Sequence, residues 1–274
     1  MNVSSVCRFV GMSRQNYYAQ RRARQRREVD AELVVEVVRP ERQLQPRLGI
    51  RKLYHLLKGI LAKAGVKAGR DRMFEILGER EMLVPPRSSE YPRTTSSYHC
   101  LPVFENLIKD QVVSQPNQVW VADITYLRTE EGFLFLSLIT DKVSRKIVGY
   151  HCGETLETQE SLRALDMALE TKPQEVWPIH HSDRGSQYCS HDYVNRLVGH
   201  GLPISMTEHD HCAENAMAER VNGILKSEYA LGIQFKTKAD AILAVQQSVT
   251  LYNTRRPHSS LGYRFPHEVH SLTA

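Results

Sequence analysis

The sequence predicts an α/β protein: a mixed β-sheet with helices on its faces, preceded by small helical modules. Three observations carry that expectation. Residues 119–128, 133–140 and 146–152 are apolar runs rich in β-branched and aromatic residues, the first two joined through Glu130-Glu131-Gly132, the pattern of antiparallel hairpins. Helical and extended patterns then alternate up to Tyr229, as a covered mixed sheet requires. Ahead of them, residues 1–84 show only helical spacing on a basic background.

In chain order, residues 1–27 form the first module. Val6 to Val10, Gly11, and Ser13-Arg14-Gln15-Asn16-Tyr17-Tyr18 read as helix, tight turn and capped second helix, the closing two-thirds of a helix-turn-helix. Arg14, Gln15 and Asn16 stand at the start of the recognition helix, with side chains suited to base edges or phosphates. The run from Arg21 to Arg27 is either a solvated helix face or a DNA contact, and its neighbourhood favours DNA. The opening helix of such a motif is missing, which suggests the downstream reading frame of a fused product. Residues 28–84 form a second helical, helix-turn-helix-like module, with Ile50, Leu53, Leu56 and Leu57 on one apolar face and Met73, Phe74 and Leu77 on another. Pro85-Pro86 opens a linker rich in Ser, Thr, Pro and Tyr that lasts to residue 117.

The next unit spans 118–232. After its three strands comes a helix with Leu162, Leu165 and Leu169 on one face and Pro173 beyond its end. A short strand at 175–180, a helix at 190–199 and a strand at 202–206 follow. The last helix runs from Ala213 to Tyr229, with Met217, Val221 and Ile224 as its apolar stripe. Residues 233–274 add an amphipathic helix carrying Ile242, Val245, Val249 and Tyr252, and a basic tail. Arg255 and Arg256 at that helix's end can complement its dipole or contact phosphate.

Composition narrows the function classes. A chain of 274 residues with 41% hydrophobic content supports a real core and two or more domains. No apolar run is long enough to span a membrane and no signal-peptide pattern opens the chain, so a cytoplasmic, nucleoid-associated protein is expected. Five cysteines without paired short spacing argue against a disulfide framework. The clusters His180, His181, Cys189, His191 and His209, His211, Cys212 lack the spaced pairs of a structural zinc site, and His181 is better read as orienting the loop that follows it. Charge is divided unevenly: residues 1–98 carry 20 Lys/Arg against 10 Asp/Glu, and residues 99–274 carry 16 against 21. The basic end is thus the expected DNA anchor, with salt-sensitive affinity.

Three acids stand out by context. Asp123 lies inside the apolar run Val119 to Leu127, where an uncompensated charge is costly. Asp183 ends a strand just before Gly185, the usual place for a ligand in a sheet-based fold. Glu219, separated from Asp183 by 35 residues, points away from its helix's apolar stripe, with Asn222 and Lys226 following at i+3 and i+7. Carboxylates gathered to handle a polyanion make sense if divalent ions reverse the sign of the site. Oxygen ligands suit magnesium or manganese, and two ions about 3.5–4 Å apart can stabilise both the attacking and leaving oxygens of a phosphodiester displacement. Asp123 would bridge the ions, with Asp183 and Glu219 each holding one.

Four motifs in order carry a family resemblance over nearly the whole chain. Trp120-Val121-Ala122-Asp123-Ile124-Thr125, His181-Ser182-Asp183-Arg184-Gly185-Ser186-Gln187-Tyr188, Asn215 to Glu228, and Tyr252-Asn253-Thr254-Arg255-Arg256-Pro257-His258 with Leu261-Gly262 resemble the DDE transposases of the insertion sequence three family. More distantly, they are similar to retroviral integrase cores. The resemblance implies an RNase H-like core, metal-dependent cleavage at element ends, strand transfer into target DNA and circular intermediates. It places the catalytic acids at Asp123, Asp183 and Glu219, and a lysine touching element-end DNA at Lys226. One departure is Glu214-Asn215-Ala216 where the family usually has Asp-Asn-Ala; the charge is kept, and the meeting of loop and DNA is open to change.

Three function classes follow: a DNA strand-transferase, an RNase H-like nuclease that does not join strands, and a catalytically idle DNA-binding regulator of transposition. Basic helix-turn-helix modules disfavour the second, and the presence of all three acids disfavours the third. Expected partners are double-stranded DNA at element ends and target, a second copy of the chain (two ends must be held together), and the upstream-frame protein.

Overall fold

The computed structural model describes residues 2–85, 101–109, 111–208 and 212–272. It divides into two compact units, Met1–Pro85 and Pro86–Ala274.

In the first unit, helix α1 (Val3–Phe9) begins where the Asn2 side chain accepts from Ser5 N. Gly11, at φ +66°, supplies the left-handed turn after it. Ser13 then caps α2 (Arg14–Leu44), its Oγ accepting from Asn16 N at 3.1 Å. Residues 27 and 28 lie inside α2, which runs unbroken through the basic segment and is braced there by Arg26 Nε donating to Asp30 at 3.1 Å, one turn on. Helices α3 (Ile50–Lys63) and α4 (Arg70–Glu79) close the unit. Val34 and Val38 of α2 meet Leu53, Leu57 and Leu61 of α3 and Met73, Ile76 and Leu77 of α4 in its core. Phe74, expected on the apolar face of α4, is 54% exposed. The buried stripe runs through i, i+3 and i+4 from Met73, so Ile76 occupies the inward position and Phe74 falls outside it.

The second unit is built on a mixed sheet ordered β3-β2-β1-β4-β5. Strands β1 (Val119–Thr129), β2 (Gly132–Asp141) and β3 (Ile147–Gly153) form an antiparallel meander with Thr129 opposite Gly132 at the first turn. Helix α5 (Thr158–Thr171) crosses back over the sheet. It lies so close at Gly149 that a Cβ there would come 2.1 Å from the Ala164 carbonyl oxygen. Strand β4 (Ile179–Ser182) then pairs parallel to β1. It starts later than the expected 175–180 because Pro178 has no N–H to give a ladder, and Ile179 N makes the first bond, to Gln118 O at 2.9 Å. Helices α6 (Ser186–Cys189) and α7 (His191–Gly199) lead to β5 (Ile204–Met206), parallel to β4.

A 3-10 turn at Cys212–Asn215 precedes α8 (Ala216–Glu228). Strand β6 (Gln234–Phe235) pairs with the far end of β1, and helices α9 (Lys238–Arg255) and α10 (Pro266–Ser271) complete the unit. β6 and α10 are too short for periodicity to reveal. Period-2 alternation gives the sheet two apolar faces. Trp120, Ala122 and Ile139 face α5 and α7 with Leu165, Tyr193 and Leu197. Leu134, Leu136 and Leu138 face α8 and α9 with Val221, Leu225, Val245 and Tyr252. Among the described residues, no helix is long and apolar enough to cross a membrane.

Candidate active site

Pairing between β1 and β4 ends at Val121 opposite His181. Asp123, within β1, and Asp183, just past the end of β4, each lie two residues beyond that pair, where pairing between the two parallel strands has ended. Asp123 is half-buried, its Oδ1 accepting from Ile124 N at 2.9 Å and its Oδ2 from Asn222 Nδ2 at 2.7 Å. Burial, then the charge of Asp183, raise its pKa from 3.8 to about 7; the bonds from Asn222 and Ile124 oppose this, and the charge of Glu219 adds the smallest push. Asp183 Oδ1 accepts from Gly185 N at 3.0 Å, a local turn that orients the carboxylate. A Cβ at Gly185 would stand 3.0 Å from that same oxygen. Arg184 Nε, donating to Thr207 O at 2.7 Å, ties the Asp183 loop to the end of β5.

Helix α8 brings the third acid. Ala218 packs with Val119 and Val121 of β1, and Asn215, 3% exposed, donates to Ala122 O at 3.0 Å beside Asp123. Glu219 is exposed in the first turn. Asn222 and Lys226 share its side of the helix, but both are buried, 6% and 7% exposed. Asn222 is engaged with Asp123, and Lys226 Nζ sits 4.4 Å from the centre of the Tyr126 ring, a cation–π contact. The amide and ammonium expected beside Glu219 at the surface are therefore turned toward β1.

The acids suit divalent metal by donor type and by charge. All three offer hard oxygens, and the described groups that shift Asp123 include no cation to offset its carboxylate neighbours. Among the described residues no three His, Cys, Asp or Glu side chains stand close enough together to hold one ion as they lie. Asp123 and Asp183 are the close pair, and Glu219 is the outlying third.

The histidines before Asp183 serve the scaffold. His180 Nε2 lies 3.0 Å from Tyr193 Oη and His181 Nδ1 lies 2.8 Å from Ser205 Oγ. Burial holds their pKa values down to about 3 and about 4, so both are neutral at physiological pH. His181 thus links β4 to β5 just ahead of the Asp183 loop. Cys189 is buried with its Sγ 3.7 Å from Met206 Sδ, and His191 is exposed. His209 and His211 lie outside the described residues.

Of the residues expected to contact DNA, Arg14, Gln15 and Asn16 are exposed on the first turn of α2, and Arg255 is exposed at the end of α9. Arg256 differs. It is 2% exposed and forks onto Glu228 at 2.8 and 2.9 Å, with Nη1 also 2.9 Å from His258 Nε2. Its guanidinium joins α8 to the chain leaving α9, so the phosphate contact expected there gives way to a buried ion pair.

Asn215 and Tyr188 are neighbours of the acids that composition alone does not single out. Tyr188 is buried with its hydroxyl lacking a partner among the described residues, and burial first, then Tyr193, Asp123 and Asp183, push its pKa well up. A separate cleft of about 590 Å³ between α5 and α7, lined by Gln159, Asp192, Asn195 and Arg196, contains none of the three acids.

Residues 113–212 match the family model described as integrase core domain, and residues 200–266 match a second model of the same description. The chain is 36% identical over 261 residues to the insertion element IS600 uncharacterized 31 kDa protein of Shigella sonnei, covering 94% of each. It is 37% identical over 191 residues to the transposase InsF for insertion sequence IS3A of Escherichia coli (strain K12), covering 69% of this chain and 66% of that one. Among solved structures, the simian T-cell lymphotropic virus intasome in complex with PP2A regulatory subunit B56 gamma matches with a TM-score of 0.50 and 16% identity, over 81% of this chain and 74% of the matched chain. That likeness is one of fold, the RNase H-like core expected from the motifs.

Proposed function

The chain belongs to the insertion sequence three family of DDE transposases, enzymes that cleave DNA strands and transfer them, and on that premise we propose that Asp123, Asp183 and Glu219 form its catalytic centre at insertion-sequence ends. The observation that carries the assignment is the Asp123–Asp183 pair. Two carboxylates stand two residues beyond the last paired residues of parallel strands, and burial, then the charge of Asp183, raises the pKa of Asp123, a cost that a bound cation would offset.

The centre would hold two magnesium or manganese ions, with Asp123 shared and Asp183 and Glu219 each engaging one. Bound there, the ions would neutralise the acids and stabilise charge on the attacking and leaving oxygens of an in-line displacement. Asn222 orients Asp123 through its 2.7 Å bond and favours the ionised form. The Gly185 N–H orients the Asp183 carboxylate. Asn215 fixes the start of α8 against β1 and so the direction from which Glu219 reaches the pair. The nucleophile is water in the cleavage step, which breaks the P–O3′ linkage at the element end to leave a free 3′-hydroxyl. That hydroxyl is the nucleophile in the joining step, displacing a 3′-oxygen from a target phosphodiester.

Arg14, Gln15 and Asn16 lie where a recognition helix meets DNA, and Arg255 and Lys226 are further DNA-contact candidates in the catalytic unit. Lys226 would need to exchange its Tyr126 contact for phosphate. Acting on two element ends implies at least a dimer on DNA, with the upstream-frame protein as an additional partner and the nucleoid as the place of action.

Full-length protein incubated with magnesium or manganese and an element-end duplex should nick the end and join the new 3′ terminus to a second strand. Asp123→Asn should abolish both while leaving DNA affinity nearly unchanged. Nicking without joining would turn the assignment to a nuclease, and binding without either reaction would turn it to a regulator.

A further inference from the structure

Glu214 occupies a position that the catalytic assignment leaves unused, at the foot of the segment leading into α8. Its Oε2 accepts from Asn106 Nδ2 at 2.7 Å and from Glu208 N at 2.7 Å, both at the short lengths of charge-assisted bonds. The Glu208 bond draws the end of β5's exit and the start of the 3-10 turn together. The Asn106 bond reaches across 108 residues of sequence to the stretch of chain that precedes β1.

That stretch is fastened along its length. Asn106 Oδ1 accepts from Ile108 N at 3.1 Å, which settles the amide orientation and aims its NH2 at Glu214. Leu107 N donates to Ser205 Oγ at 2.9 Å, the same hydroxyl that meets His181 Nδ1 two residues before Asp183. Lys109 Nζ pairs with Glu208 at 2.8 Å. Ile108, 6% exposed, packs in one cluster with Val119, Val121 and Ala218, and Ala218 is the residue before Glu219.

The first turn of α8 needs such support. Its N-cap residue, Asn215, makes no side-chain capping hydrogen bond: its Nδ2 donates to Ala122 O, and its Oδ1, the atom a cap would use, is buried without a partner among the described residues. Glu219 is therefore positioned by what holds Glu214 and Asn215 rather than by a cap of the helix itself. We propose that Asn106 and Glu214 form a clamp that positions Glu219 relative to Asp123 and Asp183, so that the chain entering the catalytic unit sets the geometry of the acid triad. The proposal rests on the catalytic assignment above. In it Asn106 and Glu214 are positioning residues that touch neither DNA nor metal.

An amide–carboxylate exchange tests it on the full-length protein. Asn106→Asp alone sets two carboxylates face to face, and Glu214→Leu alone removes the acceptor for both Asn106 Nδ2 and Glu208 N. The double variant Asn106→Asp/Glu214→Gln restores a donor–acceptor pair between the two positions with the polarity reversed, the new amide turning its NH2 to the new carboxylate. Measured quantities are the single-turnover rate of end cleavage, the dissociation constant for an element-end duplex, and manganese affinity by calorimetry without DNA. Each single variant should cleave about 10- to 100-fold more slowly and bind manganese correspondingly more weakly, with DNA affinity unchanged, and the double variant should recover both cleavage and manganese affinity. Single variants that match wild type in rate and manganese affinity would overturn the clamp, as would a double variant as impaired as the singles while melting at the wild-type temperature. If a single variant fails to fold, the double variant against wild type decides by the same criteria. Failure of the catalytic assignment is separately visible: wild type would not cleave, or Asp123→Asn would.

Discussion

Asp123→Asn should stabilise the metal-free fold at alkaline pH while removing activity. In the folded chain the Asp123 carboxyl titrates at about 7 instead of 3.8. Below about 4 both folded and unfolded chains hold the proton, and between about 4 and about 7 only the folded chain does, so stability falls as pH rises through that window. Above about 7 the ionised group imposes its full penalty, with a ceiling of roughly 4 kcal/mol. The substitution removes the charge at nearly constant volume. The bond from Ile124 N survives on the amide oxygen, and the new NH2 can donate to Asn222 Oδ1, which is buried without a partner among the described residues, once that amide turns over. For a unit of this size the ceiling corresponds to a melting temperature higher by roughly 8–16 °C. Thermal unfolding in chelator at pH 8 and pH 5 measures it: the variant should melt several degrees above wild type at pH 8, with the gap closing toward pH 5. A gap of the same size at both pH values, or a variant that melts lower at pH 8, would refute the buried-charge account.

Manganese affinity should weaken as pH falls below about 7, by up to about tenfold per pH unit, because the proton on Asp123 must leave; calorimetry at several pH values checks this, and a flat profile would contradict it. Arg256→Ala should cost about 3–5 kcal/mol in denaturant unfolding, since Glu228 loses a forked partner in a buried setting, and Arg256→Lys should recover only part. Gly149→Ala should destabilise by about 3 kcal/mol or more, because its methyl group would meet backbone of α5 at 2.1 Å; unchanged unfolding would show that α5 can lift off the sheet freely.

The parts of this molecule legible in its sequence are those set by local pattern. Apolar runs rich in β-branched and aromatic residues announce β1 to β3, and Ser13 after Gly11 announces the start of α2, because strand preference and helix capping are short-range effects. The boundary of β4 was less legible: Val176 and Trp177 look like strand, but pairing waits until Pro178 is past. In the active-site region, Asp123 stands out as an acid in an apolar run, whereas its surroundings depend on contacts between distant segments. Asn222 meets Asp123 across 99 residues and Asn215 meets Ala122 across 93. Arg256 looks like a phosphate ligand at a helix end until Glu228, 28 residues earlier, is seen to take both of its arms. Lys226 likewise sits at the helical spacing of a surface cation, and only the position of Tyr126 reveals that it is covered. Periodicity places a residue on a face; it does not say which neighbour that face will meet.

Anomalous diffraction from manganese-soaked crystals of the wild-type protein measures the central claim most directly. Manganese should appear between Asp123 and Asp183, with Glu219 drawn in to the same centre, and should vanish in Asp183→Asn. Manganese bound elsewhere, or unchanged in that variant, would contradict the assignment of these acids as one metal-binding catalytic site.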